Sequence, residues 1–162
     1  MFIYSIRAST VKIIGLVLLA VALIGCIVLS GDNAAVMAAG SGEIDYSGIK
    51  TNEQRVAFIE GFGIAVDDTP VEEQAFTMPK DFDRVILGYN ELQKKQGLDL
   101  SKYQNKKVTR YTYKVTNYDC DGDVYANLFI YRGKIVACDI CSASPDGFVL
   151  PLTLVDTSKL KN

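Results

Sequence analysis

Two strand-like runs, Val124–Tyr131 ("VYANLFIY") and residues 134–141 ("KIVACDIC"), are separated by Arg132-Gly133 alone. Both are rich in β-branched and aromatic residues, and a two-residue connection cannot carry a chain into a parallel crossover. The pair must fold back as an antiparallel hairpin, with Gly133 supplying positive φ. Upstream, residues 107–118 ("KVTRYTYKVTNY") alternate: Tyr111, Tyr113 and Val115 fall on one face, Arg110, Thr112 and Lys114 on the other. Val124–Tyr131 is apolar on both faces, as a central strand should be. Three consecutive strands joined by tight turns make a meander.

Helical signals precede these strands. In "TNEQRVAFIEGFG" (51–63), Thr51 and Gln54 form a capping-box pattern, Val56, Ile59 and Phe62 make an apolar stripe, and Gly61 or Gly63 stops the helix. Residues 64–66 and 71–78 read as short strands around a turn. After Pro79, Phe82, Val85, Ile86, Tyr89 and Leu92 share one helical face, with Gly97 placed just past the end. Residues 148–155 ("FVLPLTLV") add a strand that Pro151 confines to an edge. The expected fold is α+β: an antiparallel meander of three to five strands, covered on one face by two helices and preceded by a single transmembrane helix.

That last element is residues 13–29, "IIGLVLLAVALIGCIVL", charge-free and close to the ~20 apolar residues that span a bilayer. Arg7 and Lys12 precede it, while Asp32, Glu43 and Asp45 follow, which directs the N-terminus to the cytoplasm and the rest outside. Three fates are open: retention as a span or signal anchor, cleavage near Ala38 in "VMAAG", or lipidation at Cys26 in "LIGC". The expected organisation is a cytoplasmic N-terminus at 1–12, the membrane segment at 13–30, a flexible Gly-rich linker at 31–50 and an extracytoplasmic domain at 51–162. Membrane lipid is then a partner through residues 13–30.

The strings "NELQKKQGLDLSKYQNKKVTRYTYKVTNY" and "ANLFIYRGKIVACDICSASPDGF" resemble the bacterial family known as domain of unknown function 4830, from Thr51 to about Phe148. The resemblance implies a short protein with an N-terminal membrane segment, and Cys141 as the family's typical cysteine. It implies no activity.

Chemistry is bounded by composition. With no histidine, the chain cannot build a Ser-His-Asp triad, a Cys-His dyad or an imidazole metal site. Lys and Arg number 17 against 19 Asp and Glu, so no basic field points to nucleic acid. Cys138-x-x-Cys141 has redox spacing, yet in a strand the two sulfurs point to opposite faces with Cα atoms ~10 Å apart, too far for a disulfide. A zinc site on Cys120, Cys138 and Cys141 would need all three to converge with an Asp as fourth ligand, and one CxxC without a partner pair is weak support for it. "DCDGD" (119–123) fails the calcium-loop pattern because Val124 stands where Gly is required. The oxidising side of a membrane suits a disulfide from Cys120 to Cys141 or Cys138.

With Arg132-Gly133 as the turn, uninterrupted pairing puts Ile135, Ala137, Asp139 and Cys141 on the face of Ala126 and Leu128. Asp139 is the oddest residue for its place, at the rim or paired with Arg110 or Lys114 if the register moves by one. Tyr125, Phe129 and Tyr131 make an aromatic strip that could stack on a sugar or peptide. Candidate ligand-binding residues are therefore Tyr125, Phe129, Tyr131, Asp139 and Cys141, with no catalytic, metal or cofactor site assigned. The expected function is a membrane-anchored, non-catalytic module that binds an envelope protein or small ligand. The alternative is a cell-envelope enzyme using carboxylate or Cys141 chemistry.

Overall fold

The computed structural model describes residues 44–144 and 147–161. Strands β1 (Glu72–Thr77), β2 (Lys107–Lys114), β3 (Val124–Tyr131), β4 (Lys134–Ser142) and β5 (Val149–Leu150) form one sheet in sequence order. Every neighbouring pair is antiparallel. With helices α1 (Asn52–Glu60) and α2 (Arg84–Lys94), the fold is the expected α+β meander. Among the described residues no helix is long and apolar enough to cross a membrane. The apolar run at 13–29, with its anchor, cleavage and lipidation readings, lies outside the described residues.

α1 starts where the capping box places it. Gln54 N donates to Thr51 Oγ1 at 3.3 Å, and Gln54 Oε1 accepts from Thr51 N at 3.0 Å and Lys50 N at 2.8 Å. Thr51→Ala removes one arm of this exchange and is expected to cost about 1 kcal/mol, read from the urea midpoint. An unchanged midpoint would mean that the Gln54 bonds alone fix the helix start. Val56 and Ile59 are buried, and Arg55 reaches the sheet, donating from Nε to Tyr113 Oη at 2.7 Å with its guanidinium 3.8 Å from the Tyr111 ring centre.

The two helices do not share a face, which corrects the expectation. α1 packs with Tyr113, Ala126, Leu128 and Ile140. Tyr89 of α2 and Leu100 of the short helix Leu100–Tyr103 pack with Val108, Phe129, Val136 and Ala137 on the opposite face. A sheet apolar on both sides must be covered on both sides, and β3 already carried that pattern.

The hairpin forms as expected, with Arg132 at φ 50 and Gly133 at φ 75, the two positive values of a type I′ turn. Tyr131 pairs with Lys134 and Ile130 with Ile135. Then Phe129 pairs with Ala137, leaving Val136 as the extra residue of a β-bulge. Val136 and Ala137 both pack on the α2 side, and every later residue of β4 is transposed. Cys138 and Ile140 face α1, whereas Asp139 and Cys141 oppose Asn127 and Tyr125 on the α2 side. The uninterrupted register is thus overturned.

β4's outer edge is closed piecemeal. Ile135 N donates to Tyr46 O at 2.8 Å and Ile49 N to Gly133 O at 2.9 Å. Cys138 N donates to Gln93 Oε1 at 3.0 Å, and Cys138 O accepts from Gln96 Nε2 at 2.6 Å. β5 then pairs with Ile140 and Cys141. Two glutamines of the α2 end therefore stand in for a strand, as buried backbone groups require. A Schellman ending holds them there: Gly97, at φ 81, donates to Lys94 O and Leu98 to Gln93 O. The segment from Ile44 to Lys50 is consequently part of the domain: Ile49 is buried and Tyr46 packs on Phe58. The expected linker ends earlier than 50, and its remainder, 31–43, lies outside the described residues.

Candidate functional site

Among the described residues, the bulge brings buried Asp139 together with the partly buried Tyr89 and Cys141, a grouping that the strand pattern did not explain. Asp139, 4% exposed, accepts from Tyr89 Oη at 2.5 Å on Oδ2 and from Asn127 Nδ2 at 2.8 Å on Oδ1. Asn127 Nδ2 also donates to Cys141 Sγ at 3.4 Å, and Thr112 Oγ1 donates to Asn127 Oδ1 at 2.8 Å. The register explains the row: Glu72 opposes Thr112, Thr112 opposes Asn127, and Asn127 opposes Asp139. Beside it, Arg110 Nη2 donates to Glu72 Oε2 at 2.7 Å and Gln74 Oε1 at 3.1 Å.

Burial dominates the electrostatics. It raises the Asp139 carboxyl to about 6, against the opposing pull of the Tyr89 and Asn127 hydrogen bonds and the nearby Arg110 charge. It pushes the Cys141 thiol up to about 12, with the Asp139 charge adding to the rise. Tyr89 is driven well above its ordinary value by burial and by Asp139. A carboxyl ionising near neutrality beside a phenol has the chemistry of an acid–base pair, but the carboxyl is only 4% exposed and Tyr89 of α2 covers it. Cys141 is a neutral thiol there, and only the thiolate is nucleophilic.

The sequence-proposed residues divide. Asp139 and Cys141 come together through Asn127. Phe129 is packed by Phe76 at 6.0 Å and Tyr89 at 5.9 Å between ring centres, and Tyr131 by Tyr103 at 5.6 Å. Tyr125 leans out to Asp123 at 3.4 Å. The aromatic strip is therefore not an open platform: α2, β1 and the Leu100–Tyr103 helix cover it, because that face is itself a core.

Cys120, Cys138 and Cys141 are free thiols. The Cys120–Cys141 disulfide is not formed: Cys120 packs on the α1 side and Cys141 lies on the other, with the sheet between them. In the 119–123 turn, Asp119 pairs with Lys161 and Asp123 with Lys114, so these carboxylates are used in surface ion pairs. Reasoning from sequence missed Tyr89 and Asn127 as the partners of Asp139. An Asn inside an otherwise apolar strand was the signal available.

The family model described as domain of unknown function (DUF4830) matches residues 58–140. The chain belongs to the DUF4830 family. The matched span of the DUF4830 domain runs from the end of α1 to β4, and so includes Tyr89, Arg110, Asn127 and Asp139. No curated protein and no solved structure matches this chain.

Proposed function

We propose that this DUF4830 protein is a membrane-tethered, extracytoplasmic module that binds a partner or ligand and does not catalyse a reaction. The tether rests on the charge-free run at 13–29 and on the cations that precede it. The observation that carries the non-catalytic reading is the burial of Asp139, 4% exposed and covered by Tyr89 of α2, beside a partly exposed Cys141 whose thiol is held at about 12. A nucleophile or general acid must reach its substrate, and these groups spend their hydrogen bonds on one another. They fix α2 to the sheet, leaving recognition to the outside of the domain.

Alkylation of the native full chain at about pH 7.5, mapped by peptide mass spectrometry, tests this directly. Cys141 is expected to react on the order of a thousandfold more slowly than an unperturbed thiol. Alkylation at the rate of a free thiol would restore the cysteine-enzyme reading. Protease added to intact cells is expected to digest the domain from residue 44 onward. Protection until lysis would remove the extracytoplasmic placement.

A further inference from the structure

An open cleft of about 670 Å³ lies where the Ile44–Ser47 segment, the end of α2, Lys134 and Thr153 meet. Its lining is polar in a particular way. Gln96 is 7% exposed, and its Nε2 is occupied by Gln93 Oε1 and Cys138 O, which leaves Oε1 buried without a donor. Thr153 Oγ1 is likewise buried without a partner. A native structure rarely leaves such atoms unmatched, and each asks for a hydrogen-bonding group from outside. Tyr46 Oη already donates to Gln96 O at 2.6 Å, which ties the segment across the cleft.

Charge is arranged around these two atoms. Lys95 and Lys134 are exposed on the lining and hold no ion pair among the described residues, unlike Lys94, which is taken by Glu91. Asp45 is also on the lining. Its Oδ1 accepts from Ser47 N and Oγ, which leaves the other oxygen free. The Ser47 hydroxyl and amide hold this carboxyl below its ordinary value, with a weaker contribution from Lys134. Two lining residues of the cleft thus carry unmatched buried oxygens, with a carboxylate at one side and two unpaired ammonium groups at the rim.

We infer that the cleft binds a small zwitterion of the amino-acid or short-peptide class. The ligand's ammonium group donates to Gln96 Oε1 and Asp45, and its carboxylate meets Lys95 and Lys134. The inference rests on the binding-module reading and gives it a site. It also explains why the Ile44–Ser47 segment is strapped to β4 and α2, since the strap supplies one wall.

The test is a titration of the detergent-solubilised full chain with L-alanyl-L-alanine, followed by ligand-observed NMR. The N-acetylated and C-amidated dipeptides serve as charge-cancelled probes. The uncapped dipeptide is expected to saturate at about millimolar concentration or below, with each cap weakening binding about tenfold. Lys95→Glu and Lys134→Glu change exposed side chains and are expected to give the same loss without altering the urea midpoint. Absence of saturable binding by the uncapped dipeptide would overturn the inference. So would binding indifferent to both caps and both charge reversals, because a site built on those groups must respond to them. These failures leave the alkylation and protease results standing. Conversely, binding with hydrolysis of the dipeptide would keep the site and overturn the non-catalytic reading.

Discussion

Acidification from about pH 7.5 to about 4.5 is expected to stabilise the full chain by roughly 2 kcal/mol, the reverse of ordinary acid denaturation. The cause is Asp139. Its carboxyl titrates at about 6 in the folded chain, against an ordinary value of 3.8. Between those values the native state binds a proton that the unfolded state lacks, so stability falls as pH rises through the window. Above about 6 the penalty of the buried charge is complete, and the full swing is on the order of 3 kcal/mol. Groups facing Asp139 set the height of this step. Tyr89 on α2 and Asn127 on β3 donate to it, Arg110 on β2 favours its charge, and Cys138 and Cys141 flank it as neutral thiols.

Opposing carboxylates act lower. Asp99 is held down to about 2 by hydrogen bonds from Asn90 and Ser101, and Asp119 and Asp123 are lowered by Lys161 and Lys114. Their stabilisation is lost only as pH falls below the usual carboxylate range, so the optimum falls at about pH 4.5. Urea unfolding followed by tyrosine emission reports this cleanly, since the chain has nine tyrosines and no tryptophan. Asp139→Asn cannot titrate and is expected to flatten the profile between about pH 4.5 and 7.5, even though its amide must turn an NH₂ toward one of two donors. A flat wild-type profile, or a slope that persists undiminished in the Asp139→Asn variant, would assign the step elsewhere.

The same residue shows what was legible before the structure. The hairpin, the faces of β2 and β3, the capping box and the Gly97 ending follow from local rules, and they hold. A two-residue turn at Asp121-Gly122 would set Tyr113 opposite Ile130, whereas the β2–β3 connection is wider and sets it opposite Ala126. That slip is four residues, an even number, so no side chain changes face. The bulge at Val136 is a slip of one, and it transposes everything after it. Nothing in "KIVACDIC" marks a bulge, because Val136 and Ala137 suit a strand equally well. The misfit was visible only as Asp139 on the wrong face. Cover for the second face was also readable in β3, but which helix supplies it depends on tertiary packing that periodicity does not encode. The cleft escaped notice because its wall comes from residues 44–47, whose Gly-rich surroundings read as linker.

Removing the charge of Arg110 is expected to be strongly destabilising, with Arg110→Met losing about 3 kcal/mol. Arg110 and Glu72 have side-chain exposures of 9% and 19%, and their 2.7 Å bond lies on the inward face of β1. Arg110 Nε and Glu72 Oε1 have no partner, so the pair rests on the Nη2–Oε2 bond, with Gln74 Oε1 accepting from the same Nη2, and not on a saturated network. Without the guanidinium, Glu72 stays half-desolvated and uncompensated, and Asp139 loses the cation that favours its ionised form. The pH step should therefore grow in Arg110→Met as well as the midpoint fall.

Replacing both partners removes the stranded charge, and Arg110→Met with Glu72→Met is expected to regain most of the loss. The double variant has a second consequence. β1 is an edge strand of the described sheet, and an inward-pointing acid is a device that keeps such an edge from pairing with another chain. The double variant should then be stable yet associate with rising concentration, whereas the single variant should be unstable and monomeric. Sedimentation alongside urea unfolding separates the two effects. A double variant as unstable as the single would mean that Arg110 acts through its packed stem and not its charge. A stable double variant that stays monomeric would show that Glu72 balances Arg110 and guards nothing.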